Sequence, residues 1–116
     1  MSCCTSTDAL SVKAGFVNHV PLTLDDGTTP INLTGSTIIF RAKEADAEAG
    51  VYLIDLEITS HEDAVNGESI AEIDLTEVSD TILANGVRLA AEITVIDSTD
   101  VLVYDAMFAL QIDPQL

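Results

Sequence analysis

Apolar side chains recur at every second position through most of this 116-residue chain, in short runs that end at Gly, Asn or Asp. That period belongs to strands with one buried face, whereas an amphipathic helix repeats at roughly 3.6 residues. The pattern is clearest from Val20 to Lys43. Val20, Leu22 and Leu24 alternate with Pro21 and Thr23, and Asp25-Asp26-Gly27 then breaks the run. Asp-Gly signals a turn because glycine accepts positive φ and aspartate bonds its own backbone. Ile31 and Leu33 form a short apolar pair, and Thr34-Gly35 is a second turn. The alternation resumes at Thr37, with Ile38, Phe40 and Ala42 on one face and Thr37, Ile39, Arg41 and Lys43 on the other.

The rest of the chain follows the same rhythm. Leu10, Val12, Ala14 and Phe16 open a first strand that carries on through Val17. Glu44 to Gly50 reads as an acidic loop, with one helical turn at most. Tyr52, Ile54, Leu56 and Ile58 share a face, and Asn66-Gly67 is a hairpin-type turn. Ala71, Ile73 and Leu75 form the next apolar row. Thr76 to Leu83 is the one stretch that suits a short helix, with Thr76 as N-cap, Glu77 and Asp80 in the first turn and Val78, Ile82 and Leu83 inward. Val87 to Val95 and Leu102 to Ile112 are two long alternating runs joined by Asp97-Ser98-Thr99-Asp100, a hairpin whose core is Leu89–Val95 against Tyr104–Leu110. Asp113-Pro114 closes the series, since proline cannot donate to a ladder. About seven short strands with turn signals between them predict an all-β chain, an antiparallel immunoglobulin-like β-sandwich. Tryptophan is absent, which excludes the tryptophan-anchored core of antibody domains. Residues 1–9 are expected to be a flexible tail and 10–116 a single domain.

Charge narrows the function. Twenty acidic residues face four basic ones, a formal net charge of −16. Phosphate-mediated binding of nucleic acid needs clustered Lys and Arg, and anionic lipid repels such a surface. No stretch has the length of a membrane-spanning helix, and the N-terminus shows no signal peptide, so the chain is expected to be made and kept in the cytoplasm, at least at first. Cys3 and Cys4 are adjacent and would pair with each other only in a strained ring. The reading is two reduced thiols, with an inter-subunit disulfide outside the cell as the alternative.

Three segments together carry a resemblance: Leu22-Thr23-Leu24-Asp25-Asp26-Gly27, then Pro30-Ile31-Asn32-Leu33-Thr34-Gly35, then Ile38-Ile39-Phe40-Arg41-Ala42-Lys43. The pattern resembles the N-terminal domain of tailed-phage baseplate upper proteins, also found in some phage head fibres, where it opens an immunoglobulin-like sandwich. The closing pair, Gly86–Ile96 and Val101–Ile112, is similar in layout to that family's last hairpin. Members often carry a long fibre or receptor-binding region after this domain. The resemblance implies a virion structural subunit, located on the virion, rather than a long fibre.

Signals of chemistry are weak. The glycines sit singly at turns, with no phosphate-binding fingerprint. His19 and His61 lack partner spacing, and His61 reads as a solvated loop histidine beside Glu62 and Asp63. Asp25-Asp26 and Glu62-Asp63 are paired carboxylates, but so few aromatic residues do not make a sugar-stacking cleft. Asp25, Asp26, Asp97 and Asp100 lie in turns, where backbone capping is favoured over a structural calcium site. The expectation is therefore a non-enzyme with no catalytic, cofactor-binding or metal-ligating residues and no cofactor. It would dock on other virion proteins, capsid or tail, through an edge strand or its N-terminal tail, and form a closed homo-oligomer such as a trimer. Phe16 and Val17 on the first strand, and Ile39, Arg41 and Lys43 on the less buried face of the third, are the candidate contacts. Capsid decoration or a head-fibre role leads. A tail or baseplate adaptor for a receptor-binding fibre is the first alternative, and an immunoglobulin-like glycan or protein recognition module the second.

Overall fold

A computed structural model describes residues 9–44, 47–48 and 50–115. Seven strands build two layers: β1 (Ala9–Lys13), β2 (Val17–Thr23), β3 (Thr37–Glu44), β4 (Ile54–Ile58), β5 (Glu68–Asp74), β6 (Val87–Ile96) and β7 (Leu102–Asp113). One sheet has the order β1-β7-β6-β3-β4, and the facing sheet is the pair β2-β5. The all-β two-layer fold read from the alternation is therefore present. It is mixed rather than antiparallel, because β1 runs parallel to β7 from Ala9↔Ala109 to Lys13↔Asp113. Alternation reports which face is buried, not strand direction. Residues 1–8 of the expected 1–9 tail, with Cys3 and Cys4, lie outside the described residues. Ala9, the last residue of that tail, already belongs to β1.

Parity placed most of the core. Ile38, Phe40 and Ala42 of β3, Leu89, Ala91, Ile93 and Val95 of β6, and Phe108, Leu110 and Ile112 of β7 are all buried. The β6–β7 register pairs Leu89 with Leu110 and Val95 with Tyr104, as the hairpin reading required. Phe40 meets Phe108 edge to face, with ring centroids 5.7 Å apart, a favoured aromatic geometry. Leu22, Ala71 and Ile73 cover this face from the small sheet. Two strands cannot cover five, so loop residues close the ends. Leu24 and Leu33 seal one end, held by Leu24 N–H donating to Gly67 C=O (2.9 Å) and Leu33 N–H to Ala64 C=O (2.7 Å). Leu75 and Ile82 seal the other.

Several local expectations change. Gly15 sits at φ +86°, and the chain turns there from the large sheet into the small one. Asn18 clamps this turn: its Oδ1 accepts from Lys13 N–H, and its Nδ2 donates to the carbonyls of Lys13 and Phe16. Phe16 and Val17 thus do not lie on the first strand, because Phe16 is in the turn and Val17 opens β2. Tyr52 precedes β4, which starts at Ile54, and it packs on Arg41 instead of joining the Ile54 face. Pro30–Leu33 forms only an isolated bridge, Pro30 to Asp25. Asn66-Gly67 ends a 3-10 turn (Ala64–Asn66) and carries the chain from the large sheet to the small one, so β4 and β5 are not a hairpin.

The short helix exists but starts late. It is α1 (Asp80–Asn85), capped by Ser79, whose Oγ accepts from Ile82 N–H at 3.3 Å. Thr76 does not cap it, because the Asp74 carboxylate takes both its N–H (2.9 Å) and its hydroxyl (2.6 Å). Ile82 is buried, with Val78 and Leu83 half-buried, as expected of that side. The Glu44–Gly50 loop is described only in part, with Ala47 N–H donating to Glu44 C=O.

Candidate docking surface

Because the inward positions of the large sheet are filled, its outward positions form a broad exposed face. Register fixes the rows on it. Asp55, Arg41, Glu92 and Met107 lie side by side across β4, β3, β6 and β7. In neighbouring rows Ile39 sits between Glu57 and Thr94, and Lys43 beside Ala90 and Ala109. Arg88 pairs with Gln111, and Lys13 with Asp113. All four cations of the chain, Lys13, Arg41, Lys43 and Arg88, therefore occupy outward positions of this one sheet. Five carboxylates share the face (Asp55, Glu57, Glu92, Asp105 and Asp113), so it is close to neutral and the rest of the molecule carries nearly all the negative charge.

Arg41 is the anchor of this face. Its Nε donates to Asp55 Oδ1 at 3.1 Å, and its Cζ lies 5.1 Å from the centroid of the Tyr52 ring, a cation–π distance. The hydrogen bond and then the charge of Asp55 raise the Arg41 pKa above its ordinary value. Arg41, Lys43, Tyr52, Ala90, Glu92 and Met107 line a depression of ≈ 220 Å³. Met107 is 63% exposed, an unbranched apolar side chain in the open and well suited to an adaptable contact.

The five predicted contacts separate into two groups. Ile39, Arg41 and Lys43 stand together on β3, half-buried by their neighbours. Phe16 and Val17 are exposed, but Val17 pairs with Asp74 in the small sheet, across the sandwich from β3. The outer side of that sheet is acidic, with Glu68, Glu72 and Asp74 in outward positions. The sequence reading left out Arg88 and Met107. Parity could have found them, since each neighbours a buried residue, Leu89 or Phe108, and must point the other way.

His61 is not a solvated loop histidine. It is half-buried, with Nε2 2.7 Å from the Ser36 carbonyl oxygen and Nδ1 3.0 Å from Ser69 Oγ. A carbonyl only accepts, so Nε2 carries the proton and, in the neutral ring, Nδ1 accepts from the Ser69 hydroxyl. A Ser–His pair of this kind invites comparison with a nucleophile and its base. Ser69, however, is 1% exposed, and the far nitrogen of the ring meets a backbone carbonyl rather than a carboxylate. The arrangement is a strut between the β4–β5 connection, the start of β3 and the inner side of β5. His61→Ala should cost about 2 kcal/mol in urea denaturation, because it leaves a buried hydroxyl and carbonyl unpaired. His19→Ala, at an exposed position, should stay within about 0.5 kcal/mol.

Of the turn aspartates, Asp25, Asp26 and Asp97 cap backbone. Asp26 Oδ1 accepts from the N–H groups of Thr28 and Thr29, and Asp97 Oδ1 from those of Thr99 and Val101 and from the Thr99 hydroxyl. These bonds hold Asp26, Asp74 and Asp97 below the ordinary value of 3.8; Thr29 N–H is the leading cause for Asp26, and the Thr76 and Thr99 hydroxyls for the others. A depressed folded-state pKa contributes stability above the unfolded value and loses it as pH falls through the folded one. In a carbon-13 side-chain titration all three midpoints should therefore fall below 3.8, and Thr99→Val should raise that of Asp97. Among the described residues no group of three or more His, Cys, Asp or Glu is placed to hold a metal ion. Compared with protein-family models and with the curated proteins, the sequence matches none.

Proposed function

We propose that this protein is a structural subunit of a bacteriophage virion that works by docking rather than by catalysis, with capsid decoration or a head-fibre role as the leading assignment. The virion reading rests on the resemblance carried by Leu22–Gly27, Pro30–Gly35 and Ile38–Lys43. The docking reading rests on one observation: every cation of a strongly acidic chain lies on the outward side of the β1-β7-β6-β3-β4 sheet. Net charge keeps copies apart elsewhere, and this face alone permits close approach without mutual repulsion. Arg41, held by Asp55 and Tyr52, is preorganised for a partner's carboxylate, and Ile39, Lys43 and Met107 supply the surrounding contact area.

Immunogold electron microscopy of purified particles, with antibody to this chain, tests the assignment. Label on heads supports decoration, and label at the tail tip supports the adaptor alternative. Particles without label would overturn the virion reading, and glycan-array binding by the isolated protein would then favour a recognition module. Arg41→Glu/Lys43→Glu should leave the melting temperature within a few degrees while weakening incorporation about tenfold or more, since truncating or reversing interfacial charges acts mainly on binding.

A further inference from the structure

The side of the sandwich between β4 and β5 is unfinished. The small sheet is only two strands wide, so among the described residues the inner side of β4 is covered only in part. Ile54 is buried there, but Leu56 and Ile58 are only half-buried although they continue its row. Among the described residues β4 has a ladder partner only in β3. Past its bridge to Asp63, β5 has one only in β2. Both strands therefore present bare edges toward each other. Two depressions run in series along this seam. One, of ≈ 270 Å³, lies between Leu56, Ile58 and Ile70. The other, of ≈ 510 Å³, continues past Leu53 and Asp74 to Val78.

The chemistry of the missing occupant can be read from the two rows it would meet. An added strand paired to the β5 edge would place every second side chain inward, over Leu56 and Ile58, and these must be aliphatic. The alternate side chains would stand outward beside Glu72 and Asp74, with Glu57 across the seam. Cationic cross-strand neighbours of these carboxylates are favoured and acidic ones repelled. None of the chain's four cations lines either depression.

We infer that the β4–β5 seam is a strand-acceptor groove for an extended segment of a different protein, one that alternates aliphatic residues with Lys or Arg over about six positions. A second copy does not fit. Its free edges are β1, β2, β4 and β5: β4 and β5 carry Asp55, Glu57, Glu72 and Asp74, β2 carries no Lys or Arg, β1 carries the single Lys13 at its end, and residues 1–8 contain neither. Its one segment of suitable pattern, Thr37–Lys43, is already paired on both sides. The groove shares only Glu57 with the outer face proposed above for docking and needs no virion to be tested.

The probe is an end-blocked octapeptide alternating valine with lysine, and the control alternates serine with lysine. Binding is followed by isothermal titration and by amide hydrogen exchange at physiological salt. The valine peptide should slow exchange at least tenfold in residues 70–74, and the serine peptide should not. Glu57→Lys/Glu72→Lys should weaken binding at least tenfold, while Asp105→Lys/Asp113→Lys, with the same charge change on β7 away from the seam, should weaken it less than threefold. Circular dichroism checks that both variants stay folded. Equal binding of the two peptides, equal losses in the two variants, or protection outside residues 70–74 would overturn the proposal. So would protection of those amides by self-association without peptide.

Discussion

Leu110→Asp should yield a chain with no cooperative thermal transition. Leu110 is fully buried in β7, a strand flanked on both sides, with Leu89 and Leu10 as its register neighbours. A carboxylate there has no cation within the core to pair with, since all four lie on the outward side of the sheet. Burying an unpaired charge costs several kcal/mol even after relaxation, and losing the leucine's packing adds about 2–5 kcal/mol. Domains of this size are stable by only about 5–15 kcal/mol. Circular dichroism at increasing temperature and methyl dispersion in a proton NMR spectrum check the result. Leu110→Met, which keeps the volume, should cost less than about 1.5 kcal/mol. A sigmoidal melt for Leu110→Asp near that of the parent would contradict the burial of this position.

Gly67→Ala should have the next largest effect, about 3 kcal/mol in urea denaturation. Gly67 lies at φ +72°, where an L side chain costs roughly 1–2 kcal/mol. Its added Cβ would also fall 2.9 Å from the Ile31 carbonyl oxygen and closer still to that of Leu24, so backbone must move. Those same segments hold the Leu24–Leu33 end of the core through Leu24 N–H to Gly67 C=O. Gly35→Ala separates the two causes. Gly35 has a similar φ of +73° but open space around its absent Cβ, so only the conformational cost of about 1 kcal/mol should remain. Equal losses at the two positions would show that the close approach at Gly67 contributes nothing.

Burial was the most legible property of the sequence. Where a strand has neighbours on both sides and a layer across from it, as β3 and β6 do, alternate positions predicted burial residue by residue. The reading weakened where one of those conditions lapsed. Leu102 continues the apolar row of β7 yet is 57% exposed, because the hairpin projects past the two-stranded layer. A register shift between Val95 and Ile96 also disturbs the pairing there. Phe16 continues the rhythm of Leu10, Val12 and Ala14 across a glycine that sends the chain into the other sheet. Local polar competition explains the helix start, where Asp74 captured Thr76 and left capping to Ser79. Contacts distant in sequence were not legible at all. His61 meets Ser36, and β1 lies beside β7 at nearly the full length of the chain. Of the docking candidates, the β3 trio was visible from parity, but the gathering of Lys13 and Arg88 onto the same face needed the register.

The parallel course of β1 along β7 has a mechanical consequence. Tension applied upstream of Ala9 and downstream of Asp113 would draw these two strands lengthwise in opposite directions. The ladder from Ala9↔Ala109 to Lys13↔Asp113 would then be loaded in shear, all its bonds at once, rather than peeled open one bond at a time. Rupture under load is governed by the unfolding barrier and not by equilibrium stability, so this short edge strand would act as a clasp that sets how hard the protein can be pulled before it opens.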